Sequence, residues 1–287
     1  MNNIYVSTIG RGKDLSESSK VYKLDLDGNI LASTRIPEPT IDLENPRGGC
    51  RGARGLALQD HLWVAGWDGL FELDRDTLKI KRGFWSQECR DIHQIYPYMP
   101  DKLRVLSTWN NCTYMFDIPE GEFYKWQDLT DKFTGEQVDP ASPDTLHFNA
   151  MAADYVLLNR PGIIGTTEGQ VIHKLPKDGC GHDLQILRTG EIVTNTASGA
   201  ATIAIEPVQG TVRTILEIPR DPSLDGPLAF HGWTRGMSYL EEEDTLLIGS
   251  APAMVHIVRD VSTNPAEEKV LRISDEVVEC VFDVISD

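Results

Sequence analysis

The chain has 287 residues, 40% of them apolar and 8% aromatic, and its 27 lysines and arginines against 44 aspartates and glutamates leave a formal charge of −17. A chain this long buries most of its unfolded surface without disulfide or metal staples, and its longest apolar stretches, near residues 150–153 and 245–248, fall far short of the roughly 20 residues that cross a bilayer. Such acidity also argues against a nucleic-acid partner, because binding a phosphate backbone takes clustered lysine and arginine.

The opening residues Met-Asn-Asn-Ile-Tyr-Val-Ser-Thr have neither the basic start nor the apolar core of a signal peptide, so a cytoplasmic location is expected. Three short strands are predicted at residues 3–8, 20–25 and 29–36, with no fourth partner nearby. Residues 55–74 read as three strands separated by tight turns, and residues 78–85 supply a fourth. The same order recurs at 91–96, 102–108, 112–117 and 122–126, then at 147–152, 155–159, 163–166 and 170–175. It recurs again at 182–187, 191–196, 201–206 and 211–218, and at 234–240, 245–250, 254–259 and 269–273. A lone strand at 277–284 ends the chain. Short strands punctuated by Gly, Pro, Asn and Asp, with no sustained helical period, signal an all-β architecture.

One strand at the C-terminus and three at the N-terminus make a sixth unit. Pairing them closes a ring and removes the exposed sheet edges, and six units of about 48 residues match the usual size of a propeller blade. The expected fold is therefore one six-bladed β-propeller domain over residues 1–287, with its sixth blade split between 1–36 and 277–287. A β-sandwich plus a second domain is the alternative partition.

In such a ring the first strand of each blade lines a central channel. Aligning those strands on the pairs Leu56/Leu58, His93/Ile95, Met151/Ala153, Leu184/Ile186, Met237/Tyr239 and Val281/Asp283 puts Arg54, Asp91, Asn149, His182, Arg235 and Glu279 two positions earlier. Six polar residues at equivalent positions, with Arg51, Arg90, His93, His147, Asp183, His231 and Trp233 beside them, predict a polar site on the axis. Arg54 and Arg235 could clamp an oxyanion bidentately, with Arg90, Asn149 and Trp233 as further substrate contacts. His93 and His182, with Asp91 and Glu279, are the candidates for proton transfer. His93, His147, His182 and His231 could instead gather around a divalent metal. The other reading pairs Arg54 with Asp91 and Arg235 with Glu279, with no ligand at all. The five cysteines form no C-x-x-C spacing and read as reduced thiols. The six tryptophans read mostly as blade packing; of the long connections 11–19, 41–51, 129–144 and 220–231, the last three join one blade to the next and read as walls of a pocket.

The segments Asp91-Ile92-His93-Gln94-Ile95, His231-Gly232-Trp233-Thr234-Arg235-Gly236 and Leu246-Leu247-Ile248-Gly249-Ser250 resemble strands of uncharacterised bacterial propeller proteins. The whole chain resembles the six-bladed group that includes gluconolactonase-like, strictosidine-synthase-like and NHL-repeat proteins. The resemblance to gluconolactonase-like enzymes implies a divalent metal held by a carboxylate of an E-G-P strand and later Asn and Asp ligands. There is no E-G-P here, and Glu279, Asn149 and Asp91 are counterparts by position only. The expected function is an enzyme of hydrolase, lyase or cyclase type acting on a small polar or anionic metabolite, with a divalent metal as an optional cofactor and no nucleotide cofactor. The alternative is a non-catalytic propeller that binds a protein or small ligand on its top face.

Overall fold

The computed structural model describes residues 3–10, 19–37, 39, 52–133, 146–176, 181–196, 200–225, 230–274, 276 and 279–287. In chain order the strands are β1 (Ile4–Gly10), β2 (Ser19–Leu24), β3 (Ile30–Arg35), β4 (Leu56–Leu58), β5 (Leu62–Ala65), β6 (Gly69–Leu73), β7 (Ile80–Trp85) and β8 (Ile92–Met99). There follow β9 (Lys102–Ser107), β10 (Cys112–Asp117), β11 (Glu122–Asp128), β12 (Phe148–Ala152), β13 (Tyr155–Leu158), β14 (Ile163–Thr166), β15 (Val171–Lys174) and β16 (Gly181–Ile186). The last eight are β17 (Ile192–Thr196), β18 (Ala201–Ile205), β19 (Val212–Glu217), β20 (Met237–Leu240), β21 (Thr245–Ser250), β22 (Met254–Arg259), β23 (Ala266–Arg272) and β24 (Glu279–Ser286).

Consecutive strands pair antiparallel into blades one to five, β4–β7, β8–β11, β12–β15, β16–β19 and β20–β23. In blade six, β24 pairs with β1 from Ile4↔Ser286 to Gly10↔Glu279, and β2 and β3 follow. The innermost strands β4, β8, β12, β16, β20 and β24 touch in that order, and β24 touches β4 again. The fold is a six-bladed β-propeller whose ring is closed by the two ends of the chain.

Apolar residues on facing blades fill each gap of the ring. Trp63 of blade one packs among Val105 and Phe116 of blade two, Leu106 of blade two meets Phe148 of blade three, and Leu157 of blade three meets Leu184 of blade four. Val193 then meets Leu246, Leu247 meets Val281, and Val21 meets Val64. The tryptophans divide: Trp63 and Trp67 are buried, whereas Trp85, Trp109 and Trp126 are exposed on the outer and loop surfaces, contrary to a general packing role. Of the four long connections, most residues lie outside those described.

What positions the channel is a β-bulge in every innermost strand or at its entry. Arg54 N donates to Ala65 O and Ala65 N to Gly55 O, both at 2.8 Å, so two residues oppose one. Arg235 and Gly236 oppose Gly249 in the same way, at 2.8 and 3.0 Å. The ladder skips His93 in β8, Asn149 in β12, Asp183 in β16 and Phe282 in β24. A bulge bends its strand and re-aims the side chains beside it, which here turns one pair of residues per blade toward the axis.

Those pairs form two tiers. The upper tier is Arg54, His93, Asn149, His182, Arg235 and Phe282; the lower is Gly55, Gln94, Ala150, Asp183, Gly236 and Asp283. Odd blades contribute small residues to the lower tier and even blades Gln or Asp. A Cβ on Gly55 would lie 2.8 Å from the Gln94 Cα, and one on Gly236 2.6 Å from the Asp283 Cα. Gly236 also has φ +75°, so Gly236→Ala is expected to lower the unfolding free energy by roughly 2–4 kcal/mol. Gly190, with φ +86° and nothing within 4 Å of its Cβ, is the control: Gly190→Ala should cost only about 1 kcal/mol in the same urea titration.

Candidate active site in the central channel

His93, Gln94, Asn149, His182, Asp183, Arg235, Gly236, Phe282 and Asp283 line one pocket on the axis, whose free space of about 260 Å³ includes space open to solvent. Five blades contribute to this upper chamber. A second chamber, of about 620 Å³ including space open to solvent, lies toward the C-terminal ends of the innermost strands and shares Gln94 and Asp283 with the first.

Arg54 does not reach the cavity. It is 0% exposed, and its Nη1 forms an ion pair with Asp91 Oδ1, also contacting Ile92 O at 3.3 Å and His93 Nδ1 at 3.2 Å. Its guanidinium lies between the rings of Trp67 and Phe282, 4.8 and 5.4 Å from their centroids, while Nε and Nη2 have no hydrogen-bond partner. Such a charge is kept in the interior by its carboxylate and by π faces. Arg54 is thus a buried support for His93 and not half of a substrate clamp.

Asp91 supplies that carboxylate from a left-handed conformation, φ +51°, which aspartate tolerates better than most residues. It sits two residues before the upper tier, as does His147 with φ +49°. The channel position in blade two therefore belongs to His93, and Asp91 corrects to a place behind it. The His93 Nδ1 lies 3.0 Å from the Asp91 carbonyl, and among the described residues Nε2 is the ring nitrogen with no hydrogen-bond partner. Burial pushes the His93 pKa well below its ordinary value, and the charges of Arg54, His147 and Arg235 push the same way, so the ring is neutral.

His182 is fixed from blade three. Asn149 Nδ2 donates to Gly181 O at 2.7 Å and lies 2.8 Å from His182 Nδ1. Because the carbonyl can only accept, it identifies the amide end as NH2, and His182 Nδ1 is then the acceptor of its second proton. A neutral His182 carries its own proton on Nε2.

Arg235 is buried on the chamber wall with its guanidinium 4.0 Å from the Phe282 ring centroid and 5.6 Å from that of Trp233. Trp233 stacks on Phe230 at 5.7 Å and stands 5.9 Å from the His182 ring, behind the wall and not on it. Arg90 is directed to its own loop, where Nε donates to Gln87 O at 2.9 Å.

Glu279 is the largest displacement from expectation. The upper tier position of blade six is Phe282, three residues on. Glu279 instead accepts from Thr8 Oγ1 at 2.6 Å and Tyr22 Oη at 2.9 Å, with Lys20 Nζ at 3.6 Å, all from its own blade. Burial pushes its pKa up, but the Thr8, Ser274 and Tyr22 hydrogen bonds and the Lys20 charge outweigh this and hold it below the ordinary value. It pairs with Lys20 and not with Arg235.

The four histidines do not gather as one ligand set. His93 and His147 meet edge to face at 5.2 Å between centroids. His231 lies in the connection between blades four and five, where Nδ1 accepts from Asp221 N at 3.1 Å and its N–H donates to Asp225 Oδ1 at 2.8 Å. Among the described residues no group of three or more His, Cys, Asp or Glu is placed to hold a metal ion. The positional counterparts Asp91 and Glu279 are committed to Arg54 and to Thr8, Tyr22 and Lys20, so the donor set implied by the gluconolactonase-like resemblance does not fit. Arg51 lies outside the described residues. Cys280, next to Glu279 in the chain, is buried among Ile9, Ala251 and Phe282.

Sequence reasoning missed Gln94, Phe282 and Asp283. One signal was available: Arg54-Gly55-Leu56 and Arg235-Gly236-Met237 are the same tripeptide pattern, and the glycine marks a close backbone approach.

A hydrogen-bonded chain of nucleophile type lies elsewhere in blade five. Ser250 Oγ is 3.0 Å from His256 Nε2, and His256 Nδ1 is 2.6 Å from Glu267 Oε1. Ser250 is 0% exposed, so the order of a serine triad here ties β21, β22 and β23 together. Burial lowers the His256 pKa against the opposing effect of Glu267. Ser250→Ala is expected to cost about 1–2 kcal/mol of stability, and native Ser250 should resist a fluorophosphonate probe, read by intact mass.

For the channel, Asp91→Ala should destabilise by roughly 3–5 kcal/mol because it strands the Arg54 charge. Arg54→Met combined with Asp91→Leu should recover part of that loss in the same chemical unfolding measurement.

The sequence matches no protein-family model and no curated protein. Its fold is similar to that of a protein of unknown function from Bacteroides caccae, with a TM-score of 0.58 and 10% identity over 99% of this chain and 98% of that one. A chain in the nidogen/laminin complex also gives a TM-score of 0.58, at 10% identity over 99% of this chain and 97% of that one. A putative 6-phosphogluconolactonase from Bacteroides uniformis gives 0.51, at 10% identity over 94% and 82%. These likenesses show the propeller fold alone.

Proposed function

We propose that the upper chamber is the active site of an enzyme that transfers protons on a small anionic metabolite, in hydrolysis, lyase or cyclisation chemistry. The observation that carries this reading is the convergence of two histidines from blades two and four and a guanidinium from blade five on one pocket at the axis.

Arg235 binds the anionic group, with Phe282 holding the plane of the guanidinium. His93 is the base: it is neutral, its Nδ1 is engaged by protein, and a neutral imidazole accepts a proton at Nε2. His182, with Nδ1 accepting from Asn149, donates from Nε2. Arg54 and Asp91 act through His93, one by keeping it neutral and the other by fixing the ring. The Bacteroides uniformis neighbour is named as a putative lactonase of a phosphorylated small molecule and the other neighbour belongs to a nidogen/laminin complex, so fold does not choose between enzyme and binding module. The chamber chemistry favours the enzyme.

The test is a panel of small carboxylates and phosphate esters followed by NMR for conversion, with wild type beside the His93→Gln and His182→Gln variants. A substrate of the wild type should be turned over about 10²–10⁴ times more slowly by each variant. Conversion undiminished in both variants, or ligands that bind without conversion, would overturn the reading in favour of a non-catalytic module.

A further inference from the structure

The floor of the upper chamber contains two carboxyl groups that the histidine chemistry does not use. Asp183 of blade four and Asp283 of blade six stand on either side of Gly236 of blade five on the wall of that chamber. Asp183 Oδ1 accepts from Leu184 N at 2.8 Å and from Gln94 Nε2 at 3.0 Å. Asp283 accepts from Leu56 N at 2.7 Å and from Val284 N at 2.8 Å. Neither forms an ion pair among the described residues.

The charged and titratable groups around them are few. Arg235, His93 and His182 share the upper chamber with both, and Tyr96 lines the lower chamber with Asp283. Burial holds Tyr96 neutral by pushing its pKa up to about 12. Arg235 is the one charge that favours ionised Asp183, but burial outweighs it and raises Asp183 to about 7. Burial, and then repulsion from Asp183, raises Asp283 well above its ordinary value. Two carboxylates facing one small chamber cannot both be charged at low cost.

We propose that Asp183 and Asp283 hold a single proton between them at neutral pH and present it to the upper chamber as an acid. Use of that proton rests on the enzymatic reading above; its presence does not. On donation the proton passes to the substrate atom, the pair is left as a dianion, and a proton from water in the lower chamber restores it through Asp283, which lines both chambers.

The sign of the linkage is fixed. The native pair keeps a proton that the unfolded chain releases above about pH 4, so its contribution to stability is present below the ordinary aspartate range. That contribution is lost as pH rises through the native midpoint at and above about 7.

Infrared spectroscopy of the protonated-carboxyl stretch tests the proposal on the intact protein. Wild type should show one such carboxyl at about pH 6, fading on titration to alkaline pH. Asp183→Asn and Asp283→Asn keep an acceptor oxygen, and in each the remaining carboxyl should bind its proton at least tenfold less tightly, a midpoint at least one pH unit lower. No protonated carboxyl in wild type near neutrality would overturn the proposal, and this needs no variant. Variants whose remaining carboxyl titrates where the wild type does would also overturn it. A shared proton in a protein that turns over no metabolite would support the pair and count only against the enzymatic reading.

Discussion

The structure depends on how the six innermost strands satisfy their backbone at the axis. Each has a hydrogen-bonded neighbour on its outer side only, so the N–H groups of its inner edge need acceptors from elsewhere. Even blades supply them from the lower tier: Asp283 accepts from Leu56 N at 2.7 Å and Gln94 from Met151 N at 2.9 Å. The odd blades answer with Gly55, Ala150 and Gly236, small enough to let those side chains pass. Polar groups on the axis are therefore a requirement of ring closure, and the bulges decide which ones face the chamber.

That requirement places charge where solvent is scarce. A chain of charge −17 gathers two arginines and two histidines around its axis, and it does so without leaving a naked buried charge. Arg54 is neutralised by Asp91 and covered by Trp67 and Phe282. Arg235 lies over the other contact of the same phenyl ring. Phe282 is thus the one apolar member of the upper tier because two guanidinium groups need a π face, and burial, helped by the cationic surroundings, keeps His93 neutral. The acid–base character of the chamber follows from the same packing that closes the ring.

The architecture was legible in the sequence because β-period alternation and turn residues recur in fours, and because one C-terminal and three N-terminal strands complete a sheet. The upper tier was legible in four blades: Arg54, Asn149, His182 and Arg235 each stand two positions before a buried residue with a large apolar side chain, Leu56, Met151, Leu184 and Met237. It slipped in blade two, where Ile92 and Ile95 offer competing anchors and a skipped His93 changes which residues share a face. It slipped in blade six because Cys280-Val281-Phe282 and Val284 form an almost unbroken apolar run around Asp283, and a phenylalanine reads as core. A bulge inverts period-two bookkeeping, and nothing in composition announces it apart from the glycines after Arg54 and Arg235. The clustering of Glu279 with Lys20 and Tyr22, and of His231 with Asp221 and Asp225, comes from contacts distant in sequence or built by an irregular turn. No strand pattern encodes them.

The central claim is that the bulges hold a neutral His93 in a chamber open to small anions. A long-range ¹H–¹⁵N spectrum of the histidine rings tests it most directly, recorded at about pH 6 with and without added inorganic phosphate. The account predicts that His93 remains neutral there and that its ring signals, with those of His182, move as phosphate is added. An imidazolium at His93 under those conditions, or ring signals indifferent to the anion, would contradict it.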